Sequence, residues 1–132
     1  MSREDFDYSK IKVEDIMTKA LISVNPATTS LQIAKMMEQG GIGAIIVNEN
    51  EIPIGIITDR DFATKIAAQS LPFDTPVEKI MSSPLITIPN DAPISSAAEI
   101  MSTKKIRKLA VSDSGKIVGI ITSTDLVNQL AK

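Results

Sequence analysis

An internal repeat with a period of 64 residues constrains this fold more than any other feature of the sequence. The phrase GIITDRD at 55–61 returns as GIITSTD at 119–125. When the chain is shifted by this period, residues 13–66 lie over 77–130, and 15 of the 54 paired positions are identical. Because the identities fall in blocks, the chain is predicted to contain two copies of one structural unit.

Each copy is predicted to have the element order β-α-β-β-α. In each copy a short amphipathic turn, 11–17 or 77–81, comes before these elements. The alternating segment LISV or LITI that follows the turn indicates the first strand. Helical spacing of apolar residues predicts the first helix of each copy, and the two helices align best after a one-residue slip. A hairpin and a last helix complete each copy, and in the second hairpin turn, SDSG at 112–115, Gly115 can supply a positive φ. The predicted helices lie at 30–39, 59–69, 93–105 and 123–131.

The repeat also sets the predicted domain boundaries. They are an N-terminal arm at 1–10, one repeat at 11–69, a linker at 70–76 and a second repeat at 77–132. A unit of about 55–60 residues buries little apolar surface by itself. The two copies are therefore expected to form one compact module of the α+β class, packed sheet to sheet around a pseudo-two-fold axis.

The composition excludes several classes of function. The 132 residues include no Cys and no His, so a thiolate nucleophile, a Ser-His-Asp triad and the commonest metal ligands are all missing. We therefore predict no enzyme activity, no catalytic residue and no metal site. A net charge of −2 and 3% aromatic residues argue against nucleic acid. The apolar runs are too short for a membrane span, and without Cys or a signal sequence the expected location is cytoplasmic.

Two interpretations of the Thr-x-x-Asp in each phrase remain open. Thr58 with Asp61, and Thr122 with Asp125, stand where a strand is followed by a helix. A Thr with an acidic residue three positions later forms a capping box, and the glycine of each phrase relieves crowding within its strand. The same junction presents N–H groups to an anion, and its carboxylate can accept two hydrogen bonds from a ribose diol. Spacing alone does not choose between cap and ligand site.

The two copies resemble a tandem CBS domain, also called a Bateman module, from about residue 9 to the C-terminus. The resemblance rests on VEDIMT and VEKIMS, SLQIAKMM and ISSAAEIM, IGAIIV and IRKLAV, and the two GIIT phrases. It implies a disk-like module, usually a homodimer, that senses adenosine-containing ligands and regulates a separate protein. It therefore implies no cofactor, and an adenine nucleotide as the regulatory ligand.

The resemblance also implies two ligand sites, each built from both copies. In the family the Thr or Ser of the phrase meets phosphate or ribose, and the Asp binds the ribose hydroxyls. The first implied site comprises Thr58, Arg60, Asp61, Pro84, Leu85, Ile86, Ile106, Arg107, Lys108 and Ala110. The second implied site comprises Thr122, Thr124, Asp125, Ala20, Leu21, Ile22, Ile42, Gly43 and Ala44.

The two implied sites differ in charge. Arg107 and Lys108 of the first match positions where nucleotide-binding members carry basic phosphate contacts, whereas the second has Gly43 and Ala44. Charge-assisted hydrogen bonds from Arg and Lys favour phosphate. The first site is therefore expected to prefer AMP, ADP or ATP. The second is expected to be weaker, empty or suited to adenosine or an S-adenosyl compound.

Two other functions remain open at this point. The chain could be an interaction module in which both phrases serve only as helix caps. It could also bind RNA through the basic run TKKIRK at 103–108. The same run would be expected at a helix C-terminus, where cations complement the helix dipole.

Overall fold

The computed structural model describes residues 10–131, so the predicted N-terminal arm lies almost wholly outside the described residues. The chain divides into two compact units. One consists of Leu21–Leu85 and is called the first-repeat unit here. The other combines the described residues up to Ala20 with those from Ile86 onward and is called the second-repeat unit. Each unit thus contains the leading segment of the other sequence repeat.

Each unit has a three-stranded mixed sheet and helices, which confirms the α+β class and the order β-α-β-β-α. The strands are β1 (Ser23–Val24), β2 (Ala44–Glu49), β3 (Ile52–Thr58), β4 (Thr87–Pro89), β5 (Lys108–Asp113) and β6 (Lys116–Thr122). The α-helices are α1 (Val13–Ile16), α2 (Ser30–Gly40), α3 (Asp59–Asp61), α4 (Ile94–Lys104) and α5 (Ser123–Leu130). A π-helical turn, Phe62–Ala67, follows α3, and a 3-10 turn spans Val77–Lys79. Between residues 10 and 131 no helix has the length and apolar character that crossing a bilayer requires.

The two sheets share one topology. In the first-repeat unit β2 pairs with β1 in parallel and with β3 antiparallel, and β4, β5 and β6 repeat this arrangement. The two-residue hairpin turns have positive φ at both positions, at Asn50 and Glu51 in one sheet and at Ser114 and Gly115 in the other. Positive φ at both positions matches the twist of the flanking strands, and the role predicted for Gly115 is confirmed.

Each unit has its own hydrophobic core. Val77 and Ile80, from the start of the second repeat, pack with Ile45 and Ile57 in the first-repeat unit. Val13, from the start of the first repeat, packs with the corresponding residues of the second-repeat unit. Both valines are completely buried. The leading turns VEDIM and VEKIM are therefore core elements of the unit built on the other repeat's sheet.

The helices α2 and α4 keep the 64-residue offset of the rest of the repeat, so the predicted one-residue slip is wrong. Gly41 and Lys105, which end the two helices, both have a left-handed conformation, with φ of 63° and 55°. Ile33 and Ala97 occupy equivalent, fully buried positions. The slip improved the match of apolar residues in the sequence, whereas in the structure Ala97 is equivalent to the larger Ile33.

The helix predicted at 59–69 is not regular. Only Asp59–Asp61 is α-helical, and in the π-helical turn that follows the Ala68 N–H donates to the Ala63 carbonyl over 3.1 Å. The equivalent helix α5 is a regular α-helix. The two copies therefore differ in backbone directly after the Asp of the phrase.

Candidate functional site

Both Thr-x-x-Asp phrases join the last strand of a sheet to the following helix. In the second phrase, Asp125 Oδ2 accepts from the Thr122 N–H at 2.9 Å and from its hydroxyl at 3.1 Å, and the Asp125 N–H donates to the Thr122 hydroxyl at 3.2 Å. In the first phrase, Asp61 Oδ2 accepts from the Thr58 N–H at 2.8 Å and from its hydroxyl at 3.2 Å. Both phrases form a capping box in which the Asp reaches back to the Thr N–H, but the Thr hydroxyl accepts a backbone N–H only in the second phrase.

The second carboxylate oxygen of Asp61 is also occupied. Asp61 Oδ1 accepts from the Ser82 hydroxyl at 3.1 Å and lies 3.1 Å from Lys65 Nζ. The same ammonium group donates to the carbonyls of Ile80 at 2.9 Å and Met81 at 3.3 Å. Asp61 is only 5% exposed. Within the first-repeat unit the carboxylate is therefore buried, paired with a cation and bonded through both oxygens.

Asp125 has a more open environment. Its side chain is half-buried, and Oδ1 has no hydrogen-bond partner within residues 10–131. The positions equivalent to Ser82 and Lys65 are Thr18 and Gln129. Neither residue bonds to Asp125 in the part of the chain that the structure describes. An acceptor oxygen at the start of α5 therefore remains available for a hydroxyl donor.

A crossing segment brings Ser82 to Asp61. Ile56 and Ser82 exchange backbone hydrogen bonds of 3.1 and 2.8 Å, and this segment runs over Gly55. A Cβ on Gly55 would lie 2.6 Å from Met81 Sδ and 2.9 Å from the Ser82 carbonyl oxygen. The interpretation of the glycines as relief of crowding is confirmed. The second-repeat unit repeats this close approach, with the same two distances, at Gly119, Met17 and Thr18.

The predicted site residues are divided between the two units. The first-repeat unit contains Thr58, Arg60, Asp61, Pro84 and Leu85 of the first site and Leu21, Ile22, Ile42, Gly43 and Ala44 of the second. The second-repeat unit contains Thr122, Thr124, Asp125 and Ala20 of the second site and Ile86, Ile106, Arg107, Lys108 and Ala110 of the first. Each predicted site therefore joins residues of both units, and this combination stays a prediction.

The predicted basic contacts lie beside the second phrase in their own unit. Lys108 is the strand partner of Thr122, and the Ser123 N–H donates to the Arg107 carbonyl at 2.8 Å. The Arg107 side chain is exposed, as is that of Arg60 in the first-repeat unit. Both guanidinium groups are therefore accessible to an anion.

The basic run at 103–108 is divided among three structural roles. Lys104 lies in the last turn of α4, Lys105 is its C-cap, and Ile106 packs against the core. The helix C-terminus interpretation is confirmed for Lys104 and Lys105, whereas Lys108 lies in β5. In the described range, no group of three or more acidic side chains is arranged to hold a metal ion.

Lys65 and Ser82 were not among the predicted site residues. Lys65 follows Asp61 by four residues, the spacing at which helical side chains of opposite charge pair, so the sequence contained a signal for it. Ser82 reaches Asp61 only because the leading segment of the second repeat lies in the first-repeat unit. No local pattern marks such a contact.

Known proteins share both the sequence pattern and the fold. The family model of the CBS domain matches residues 13–68 and again 77–132. Protein MK0525 of Methanopyrus kandleri is 38% identical over 120 residues, which cover 89% of this chain and 61% of that protein. The CBS domain-containing protein YhcV of Bacillus subtilis is 36% identical over 120 residues, covering 90% of this chain and 86% of YhcV.

A solved structure extends the similarity to a liganded protein. The CBS domain pair of protein MJ0100, crystallised in complex with 5′-methylthioadenosine and S-adenosyl-L-methionine, superposes with a TM-score of 0.82. It is 30% identical, and the match covers 92% of this chain and 96% of that one. Because the family model covers most of the sequence in two copies, the chain belongs to the CBS domain family.

Proposed function

We propose that the chain is a regulatory module that binds adenosine-containing small molecules and passes its ligand state to a separate partner protein. It has no catalytic role in this proposal. The similarity to the MJ0100 pair, which was crystallised with two adenosine compounds, supports the ligand class. Because the chain spans only 61% of MK0525, the activity of whole relatives is not transferred to it.

The observation that carries the proposal is the geometry of Asp125. Its Oδ2 is held by Thr122, which orients the carboxylate at the start of α5. Its Oδ1 has no hydrogen-bond partner among residues 10–131, and the side chain is half-buried rather than fully solvated. A preoriented carboxylate with a free oxygen suits the hydroxyl donors of a ribose.

The finer assignment follows the charges of the two predicted sites. In this proposal phosphorylated nucleotides, AMP, ADP or ATP, bind at the Asp61 phrase with Arg107 and Lys108 as phosphate contacts. Adenosine or an S-adenosyl compound binds at the Asp125 phrase. The module acts in the cytoplasm as a homodimer, and ligand binding changes the population of states that the partner protein recognises.

A ligand panel tests the proposal. We expect adenosine, 5′-methylthioadenosine, S-adenosylmethionine or an adenine nucleotide to raise the melting temperature, because a ligand bound only by the folded state stabilises it by about 2.7 kcal/mol at 100 times Kd. Differential scanning fluorimetry with an added dye provides the measurement. Guanosine and GTP serve as matched controls with the same ribose and phosphates. Equal shifts with both bases, or no shift with any compound, would contradict the adenosine assignment.

A further inference from the structure

We propose that Lys65 is a specificity-determining residue that makes the affinity for ribose lower at Asp61 than at Asp125. Its ammonium group occupies the Asp61 carboxylate, so a ribose binds first at Asp125 and binds at Asp61 only by displacing Lys65. This inference rests on the proposed function, because it concerns the ribose acceptors of the same module.

Asp61 has no spare acceptor position within the first-repeat unit. Its two oxygens already receive the Thr58 N–H and hydroxyl on one side and the Ser82 hydroxyl and Lys65 ammonium on the other. A carboxylate offers about four lone-pair positions. A ribose diol that bonds to Asp61 must therefore replace at least one of these donors.

Lys65 is the charged donor to Asp61 among residues 10–131, and its ammonium group can be replaced. Its side chain is 33% exposed, whereas that of Asp61 is 7% exposed, so the ion pair is partly accessible to solvent. Lys65 Nζ also donates to the Ile80 and Met81 carbonyls, and both bonds can persist when Asp61 is taken by a ligand. Strand pairing holds the backbones of Thr58 and Ser82, and the exposed Ser82 hydroxyl can rotate away, but a ribose diol needs two acceptor positions and therefore also the one taken by Lys65. Lys65 thus acts as an internal competitor that can withdraw without unfolding the segment.

The second-repeat unit provides a natural comparison within the same chain. The residue equivalent to Lys65 is Gln129, which has no charge. Gln129 makes no hydrogen bond to Asp125 within residues 10–131, and Oδ1 of Asp125 is open. The two carboxylates share a capping box and differ in two further donors, the Lys65 cation and the Ser82 hydroxyl. Of these two donors only Lys65 is charged, so we assign the difference in ribose affinity to the side chain four positions after the Asp.

A reciprocal exchange of these two side chains tests the inference. Adenosine is the probe, because it has the ribose diol and no phosphate that could attract Lys65. In an Asp125→Ala background, Lys65→Gln is expected to raise adenosine affinity about 3- to 10-fold, the factor that corresponds to one partly exposed charged hydrogen bond. In the otherwise unchanged chain, Gln129→Lys is expected to lower adenosine affinity by the same factor of about 3 to 10. Isothermal titration calorimetry measures both.

Stability measured without ligand separates competition from a purely structural role. Lys65→Gln removes the bonds to Ile80 and Met81, so the melting temperature should fall while adenosine affinity rises. If Lys65 only positions Asp61, stability and affinity should fall together. Lys65→Arg is the conservative variant and keeps a cation beside Asp61. In the Asp125→Ala background it should therefore leave the weak adenosine binding unchanged.

The outcomes also separate this inference from the proposed function. If the unchanged chain binds adenosine and Lys65→Gln leaves the affinity of the Asp125→Ala protein equal or lower, the role of Lys65 is overturned and the proposed function stands. If neither the unchanged chain nor any variant binds any adenosine compound, both are overturned. Opposite affinity changes in the two exchanges support the inference.

Discussion

Replacing Asp61 by Ala is expected to lower the free energy of unfolding by about 2–4 kcal/mol, whereas Asp125→Ala should cost only about 1 kcal/mol. Both substitutions remove the carboxylate of a capping box. Only Asp61→Ala also removes the acceptor of the Ser82 hydroxyl and the carboxylate partner of Lys65, whose ammonium group keeps its bonds to the Ile80 and Met81 carbonyls. The expected loss of stability is smaller than a fully buried ion pair would give, because Lys65 is partly exposed to solvent.

Equilibrium urea unfolding followed by circular dichroism measures this difference. The Asp125→Ala protein is the matched control, because the carboxylate of its phrase accepts the same two bonds from a Thr N–H and hydroxyl. Asp61→Asn, which keeps one acceptor oxygen for the Thr58 N–H, is expected to fall between the unchanged chain and Asp61→Ala. Equal losses in the two Ala variants would mean that Ser82 and Lys65 contribute nothing to stability.

Gly55→Ala and Gly119→Ala are each expected to destabilise the chain by about 1–3 kcal/mol, although Ala is a better strand residue than Gly. In both units the added Cβ would lie 2.9 Å from a backbone carbonyl oxygen, besides 2.6 Å from a Met Sδ. A methionine side chain can rotate away, but the carbonyl belongs to a segment paired with the strand. The segment must move, and its hydrogen bonds to Ile56 or Ile120 weaken.

Gly40→Ala is the control for this pair of substitutions. A Cβ on Gly40 would meet only Ile42 side-chain atoms at 3.6 Å or more, which is an ordinary contact. Gly40 is the last residue of α2, where Ala is favoured over Gly by up to about 1 kcal/mol. We expect no loss of stability for Gly40→Ala by thermal unfolding. A similar melting temperature for all three variants would contradict the close approach at Gly55 and Gly119.

The class and element order could be predicted because the repeat supplied each pattern twice. The capping boxes and Gly115 could also be predicted, since each depends on residues close together in the chain. The exchange of leading segments could not. Val13 and Val77 stand in nearly identical phrases, VEDIM and VEKIM, so local sequence does not indicate which sheet each will pack against.

The two Asp carboxylates differ in their bonding partners for two reasons. The exchange of leading segments brings Ser82 to Asp61, and the Lys65 side chain adds a cation. In the sequence, the difference between the two sites is visible only as the charges of Arg107 and Lys108. The structure adds the pairing of the buried Asp61 carboxylate with Lys65 and Ser82. The π-helical turn after Asp61 also had no sequence signal, because FATKIA matches an ordinary amphipathic helix.

The central claim is that a carboxylate of this CBS pair accepts the ribose hydroxyls of an adenosine ligand. Its most direct test is calorimetric titration of adenosine and 2′-deoxyadenosine into the unchanged chain and into Asp125→Ala. We predict that adenosine binds the unchanged chain, and that removing either the 2′-hydroxyl or the Asp125 carboxylate weakens binding by about 10-fold or more. In the Asp125→Ala protein, removing the 2′-hydroxyl should have little further effect on affinity. Binding that is unaffected by Asp125→Ala and indifferent to the 2′-hydroxyl would contradict the claim.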